Sequence, residues 1–193
     1  MYVLVESGII TKHFNKPRGF TLGDNQYPAG IFTKWSTAEK EAIGIYGVVF
    51  DDSNKKDEQW YINTNQSFAF ANDTVTASYG PATAQAHADV TETIDGVEST
   101  TPGLKTNLIK DLKTTVANIL AKTDWYITRN TEKSTAIPSA ISTHRDAVRT
   151  KQASIEAQIT GAADTAALET LHTYTTTDGV QSRPLGTLPT LEL

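Results

Sequence analysis

His13, His87, His144 and His172 are the only imidazoles of the chain, and imidazole is the side chain whose charge changes nearest neutral pH. A zinc site would place them in H-x-H or H-E-x-x-H spacing with a carboxylate to complete the set, and none has that spacing. Each therefore reads as a surface or packing residue. The densest acidic group is Asp51-Asp52 with Asp57-Glu58. A calcium loop alternates oxygen ligands around a central glycine and ends on a glutamate. Here Lys55-Lys56 holds the middle and no glycine is present, so the segment reads as a solvated turn. There is no cysteine, which excludes disulfides, thiolate ligands and cysteine nucleophiles. The phosphate loops G-x-x-x-x-G-K-[ST] and G-x-G-x-x-G are missing, as is the G-x-S-x-G elbow. A pair of carboxylates for glycoside hydrolysis can be distant in sequence, but nothing announces one. No catalytic residue, cofactor or metal is expected, and the chain reads as non-enzymatic.

Two aromatic groups remain. Trp35, Trp60-Tyr61, Phe68, Phe70 and Tyr79 crowd the first half. They could form a sugar-stacking platform, but aromatics at strand spacing more often build a core, because each buries a large area. The second group is Asp124-Trp125-Tyr126, with Arg129, Pro138, His144 and Arg145 downstream. Trp125 follows an apolar stripe and is expected to be buried where two helices meet. An exposed Trp125 would instead favour contact with another chain. Arg129, His144 and Arg145 are expected to meet carboxylates or backbone carbonyls near this joint.

The elements that must position these residues change character along the chain. Met1 to Glu6 and Ile9 to Phe14 flank Ser7-Gly8 and read as a hairpin. Prolines and glycines between residues 17 and 30 mark an irregular stretch. Ser36-Thr37-Ala38-Glu39 is a capping box, predicting a helix over residues 37–43 closed by Gly44. Val48-Val49-Phe50, Trp60-Tyr61-Ile62, residues 67–70 and residues 74–79 read as strands of a small meander. Residues 82–103, with Asp95-Gly96 and Thr101-Pro102-Gly103, read as a linker. Leu104, Leu108, Leu112, Val116, Ile119 and Leu120 then share one helix face, and Ile141, Val148, Ile155 and Ile159 form a second stripe. Asp164 caps a short third helix with Leu168 and Leu171. The expected fold class is α+β: a small antiparallel β-rich domain with one short helix (1–81), a linker (82–103), a helical hairpin (104–172) and an extended tail (173–193). The stripes are narrow, so they either pack on each other or also meet another chain or the first domain.

The net charge of −5 and the absence of a basic cluster argue against nucleic-acid binding. Tyr2-Val3-Leu4-Val5 is interrupted by Glu6 and Ser7, so no secretory leader is expected. No apolar run approaches the roughly 18 residues of a membrane span.

The string Ile119-Leu120-Ala121-Lys122-Thr123-Asp124-Trp125-Tyr126-Ile127-Thr128-Arg129, with Ala136-Ile137-Pro138 and His144-Arg145-Asp146-Ala147-Val148-Arg149, resembles a module of bacteriophage tail proteins. That module looks like L-L-x-x-T-D-W-Y-x-x-R … I-P … Y-R-x-x-[IL]-R. It recurs in tail-fibre assembly chaperones and in small virion proteins of tailed phages, including phages of marine cyanobacteria. His144 stands where the pattern usually has tyrosine. The opening Tyr2-Val3-Leu4-Val5-Glu6, the Ser36 to Glu39 helix, Ile43-Gly44-Ile45-Tyr46, and Trp60 with residues 75–79 resemble the domain often found ahead of this module. The resemblance implies a structural or adaptor protein of a phage tail fibre, baseplate or attachment component, assembled in the host cytoplasm and present in several copies or as a homo-oligomer. Its partners would be other tail proteins, not nucleic acid or membrane. It implies equally a tail-fibre assembly chaperone that leaves the mature virion. A carbohydrate-binding module for host recognition is the reading from the aromatic platform, and it requires exposed aromatics in the first half.

Overall fold

The computed structural model describes residues 1–191, so the last two positions of the expected tail lie outside the described residues. The fold is α+β. The chain divides into a first compact unit, Met1–Thr83, and a second that begins at Ala84.

The first unit opens with β1 (Tyr2–Glu6) and β2 (Ile9–Phe14), the expected hairpin. β3 (Phe20–Leu22) and β4 (Asn25–Tyr27) form a second small hairpin inside the stretch read as irregular. Two short helices follow, α1 (Ile31–Lys34) and α2 (Thr37–Glu41), where the sequence predicts only the second. The capping box of α2 is present: the Glu39 amide donates to the Ser36 hydroxyl, and the Ser36 amide donates to the Glu39 carboxylate at 2.7 Å. Gly44 ends this segment at φ +80. A Cβ there would stand 2.5 Å from the Val5 carbonyl oxygen, so both the conformation and the space call for glycine.

β5 (Ile45–Asp51), β6 (Tyr61–Ile62), β7 (Gln66–Ala71), β8 (Thr74–Tyr79) and β9 (Thr83–Ala84) complete the unit. The main sheet has the order β2-β1-β5-β8-β7. It is not the antiparallel meander the sequence suggests, because β5 and β8 run parallel, with Val48 opposite Val75. The connection from β5 first lays down β7 at the far edge. β8 then returns antiparallel to β7, in the gap beside β5, and so must run parallel to β5.

β1 is buried on both faces. Leu4 joins Phe14, Phe20, Ile31, Phe32 and Ile45 on one side, and Val3 and Val5 join Val75 on the other. Successive strand residues point to opposite faces, so this strand serves both clusters. Trp60 is only 3% exposed, and Trp35 packs against the first cluster. Trp60 is thus buried and Trp35 half-buried against the core.

The second unit carries β10 (Val90–Ile94), β11 (Val97–Thr101), α3 (Leu104–Ala121), α4 (Asp124–Lys133), α5 (Ser139–Gly161), α6 (Thr165–His172), β12 (Thr175–Thr177) and β13 (Val180–Ser182). Residues 82–103, expected as a linker, instead hold a β-hairpin and the cap of α3. The carbonyls of Ala86 and His87 accept the first helical amides, from Leu104 and Lys105. The Asp89 carboxylate accepts from the Gly103 amide at 2.8 Å and from the Thr106 hydroxyl at 2.6 Å. These contacts satisfy donors that a helix start leaves open. Gly103 is obligatory, since a Cβ there would stand 2.3 Å from the Ala88 carbonyl oxygen. No single residue beside the helix announces this cap, because its carboxylate lies fourteen positions upstream of Gly103.

The Thr106 hydroxyl, and after it the Gly103 amide, hold the Asp89 carboxyl below its ordinary range. A carboxyl whose folded value lies below its unfolded value stabilises fully above the unfolded value, and loses that contribution as pH falls through the folded value. The helical unit should therefore soften in thermal melts taken below about pH 4. Asp89→Asn should remove part of that pH dependence, and an unchanged acid limb in this variant would show that Asp89 is not its source.

α3 and α5 lie antiparallel: Lys105 Nζ donates to the Thr160 carbonyl at 2.9 Å, and Arg145 reaches the carbonyl of Leu120 at the other end. Ile141, Val148, Ile155 and Ile159 are buried along α5, as their spacing predicts. Asp164 caps α6 by accepting from the Ala167 amide at 2.8 Å. The tail expected to be extended forms the hairpin β12–β13 and then a strap over residues 184–191. In the strap Leu185, Leu188 and Leu191 recur at every third position. Leu185 is buried, and its amide donates to the Leu171 carbonyl. A cavity of about 270 Å³ is lined jointly by Leu108, Leu112, Ile155, Ile159, Leu185 and Leu188. The two helical stripes thus find part of their cover in the chain's own tail.

Candidate functional site: the helix joint and its aromatic face

The joint between α3 and α5 is not a loop. Residues 124–133, read as a connector, form the helix α4. Asp124 in its first turn and Lys133 in its last suit the helix dipole, and Ser134 ends it in a left-handed conformation at φ 53. Sequence periodicity does not reveal this helix because it has no apolar stripe: none of its residues is buried.

Arg145 holds the joint together. It projects from α5 and is only 7% exposed. One guanidinium nitrogen donates to the Leu120 carbonyl at 2.8 Å and to the buried Thr123 hydroxyl at 2.6 Å. The other lies 2.8 Å from the Asp124 carboxylate. A single planar fork therefore ties the last turn of α3, the bend at Thr123 and the first turn of α4 to α5. The Thr123 hydroxyl also donates to the Leu120 carbonyl at 3.0 Å, which fixes the bend from within. Of Arg129, His144 and Arg145, all expected to meet carboxylates or backbone carbonyls, Arg145 does so here, whereas the Arg129 guanidinium lies over the Trp125 and Tyr126 rings.

Pro138 supplies the start of α5, where its carbonyl accepts from the Ile141 and Ser142 amides. His144 is buried on the same face as Arg145. Ile141, His144, Arg145 and Val148 follow i, i+3, i+4, i+7, so a complete reading of the stripe would have included both polar residues.

Trp125 differs from expectation. It is 51% exposed and is not buried between the helices. Its ring centroid is 3.7 Å from that of Tyr126. The Arg129 guanidinium lies 4.8 Å from the Trp125 ring and 5.4 Å from the Tyr126 ring. Positions i, i+1 and i+4 of one helix thus form a close aromatic and cationic cluster, its two rings tilted by 32° to each other. The Arg129 Nε is buried and has no hydrogen-bond partner among the described residues. Beside this face lies a cavity of about 550 Å³, whose walls include Ile119, Trp125, Ile141, His144, Leu188 and Leu191. Its lining is mainly apolar. Its polar members are Lys122, Thr123, Tyr126, His144 and Thr190, and no carboxylate stands among its described walls.

The other residues weighed for chemistry lie elsewhere. His13 rests edge-on against Phe68. His172 Nδ1 is 2.8 Å from the Leu168 carbonyl oxygen, and burial, its largest influence, pushes its ring below the ordinary value. Asp51 and Asp57 accept from the amides of Ser53 and Gln59 within their own turn. Among the described residues no group of three or more histidines and carboxylates stands close enough to hold a metal ion. No helix among them is long and apolar enough to cross a membrane.

Fold and joint together define a two-unit α+β protein whose helical unit presents an anchored aromatic face. No protein-family model, curated protein or solved structure matches this chain.

Proposed function

We propose that this protein is a non-enzymatic structural or adaptor component of a bacteriophage tail, working through protein–protein contacts made by the joint of its helical unit. The observation that carries the reading is the Trp125–Tyr126–Arg129 face, with Trp125 exposed and the other two half-buried, fixed from behind by the buried Arg145 fork. Trp, Tyr and Arg are the residues that most often dominate binding at interfaces. Holding them in place before a partner arrives lowers the ordering cost of association. The assignment to a phage tail rests on the resemblance of residues 119–149 to the tail-protein module, in which the fork and the aromatic face both lie. Residence in the virion tail, with other tail proteins as partners and several copies per particle, follows from that resemblance.

Mass spectrometry of purified particles of the encoding phage, set beside infected-cell lysate, tests this. The protein should be recovered with the particles in stoichiometric amount. Recovery from lysate alone would transfer the same interface to a tail-fibre assembly chaperone.

A further inference from the structure

We propose that the second unit associates with further copies of itself through a duplicated β-hairpin, β10–β11 of one copy pairing edge to edge with β12–β13 of the next. The inference rests on the hairpins and not on the tail reading.

The two hairpins are versions of one motif. Thr93-Ile94-Asp95-Gly96-Val97-Glu98-Ser99 and Thr176-Thr177-Asp178-Gly179-Val180-Gln181-Ser182 share Thr, Asp, Gly, Val and Ser at matching positions. Their turns are the same: φ is 52 and 79 at Asp95-Gly96, and 51 and 78 at Asp178-Gly179. Two successive left-handed residues are the signature of the type I′ hairpin turn. The registers also match, with Ile94 opposite Val97 and Thr177 opposite Val180 next to the turns.

Every residue of these four strands is exposed. A lone two-stranded hairpin is marginal in water, and its outer edges carry unpaired amides and carbonyls that template further strands. Natural edges are usually blunted by lysine, proline or a bulge. The strands of β12–β13 contain no charge and no proline. In a hairpin closed by a two-residue turn, the first pair exchanges hydrogen bonds across the ladder and the second pair points its groups outward. Thr93 and Glu98 hold that position in one hairpin, Thr176 and Gln181 in the other.

Charge selects the partner. The strands β10 and β11 carry Glu92 and Glu98 and no cation, so pairing this hairpin with its own kind sets acid beside acid, which is unfavourable. The β12–β13 hairpin offers neutral threonine and glutamine at the corresponding positions. Side-chain alternation places Val90, Ile94 and Val97 on one face of the first hairpin, and Val180 occupies the place of Val97 in the second. Ile94, Val97 and Val180 are each at least 60% exposed. A joined four-stranded sheet can therefore gather these side chains on one side. Each copy holds both halves of the contact, so the pairing is head to tail and either closes into a ring or continues as a string.

Sedimentation velocity of the full chain over a concentration series up to about 1 mM should show mass rising above the monomer. Gln181→Lys sets a cation against the acidic edge and should tighten association by about two- to fivefold, whereas Gln181→Glu should weaken it by a similar factor. Gln181 is solvent-exposed, so melting temperatures should stay unchanged. A monomer at every concentration would overturn the proposal. So would weakening by both variants, which is the pattern of β12–β13 pairing with itself. Association abolished by Trp125→Ala but indifferent to both Gln181 variants would place the contact at the helix joint and overturn it as well.

Discussion

Arg145→Ala should destabilise the helical unit by about 3 kcal/mol, the largest effect expected from any single polar substitution in this chain. The Asp124 carboxylate accounts for little of this, because it is more than half exposed and such pairs are screened. The loss comes mainly from the inner end of the fork. Without the guanidinium, the Leu120 carbonyl and the buried Thr123 hydroxyl lose a charged donor, and a void opens beside Ile141 and Val148 on α5. Arg145→Lys should recover only part of the stability, since a point charge cannot serve three acceptors on three elements at once. Denaturant unfolding followed by far-UV circular dichroism measures this directly. A change below about 0.5 kcal/mol, the range of an ordinary surface substitution, would show that Arg145 does not hold the joint.

Trp125→Ala should produce the opposite pattern. Half of this side chain already faces solvent and no described residue of α4 is buried, so stability should stay within about 0.5 kcal/mol of the parent. Partner binding should fall by about 2 kcal/mol or more, roughly thirtyfold in affinity. The readout is incorporation of the variant into particles, or its binding to isolated tails, against the parent in competition. Equal incorporation would remove the aromatic face from the interface. The two substitutions would separate two roles at the joint, Arg145 shaping it and Trp125 meeting the proposed partner.

Local chemistry made much of this fold legible. The capping box at Ser36 and Glu39, the glycine stop at Gly44, the Asp164 cap and the two helical stripes all act within a few residues, and all are present. What stayed hidden depends on distant partners. The parallel β5–β8 pair follows from the path of the chain between them, which no strand pattern records. Asp89 caps a helix across an intervening hairpin. The α4 helix lacks the periodic burial that would advertise it. At the joint, the residue types were readable and their arrangement was not. Arg145 meets both a carboxylate and a carbonyl, the kinds of partner its type calls for, while Trp125, an apolar residue beside a helical stripe, stands half in solvent. Buried His144 and Arg145 share the periodicity of their apolar neighbours, a signal that polarity masks.

The strap has a mechanical consequence. Leu185, Leu188 and Leu191 lie in series along the groove between α3 and α5, with Leu191 at the joint end. Each leucine is thus a separate hold on the groove, with the buried Leu185 as the firm end and the half-buried Leu191 as the loose one. Each holds by no more than about 3 kcal/mol of burial. Lifting the Leu191 contact would widen the cavity beside Trp125. How much apolar wall the joint shows beside Trp125 therefore depends on how the end of the strap is seated.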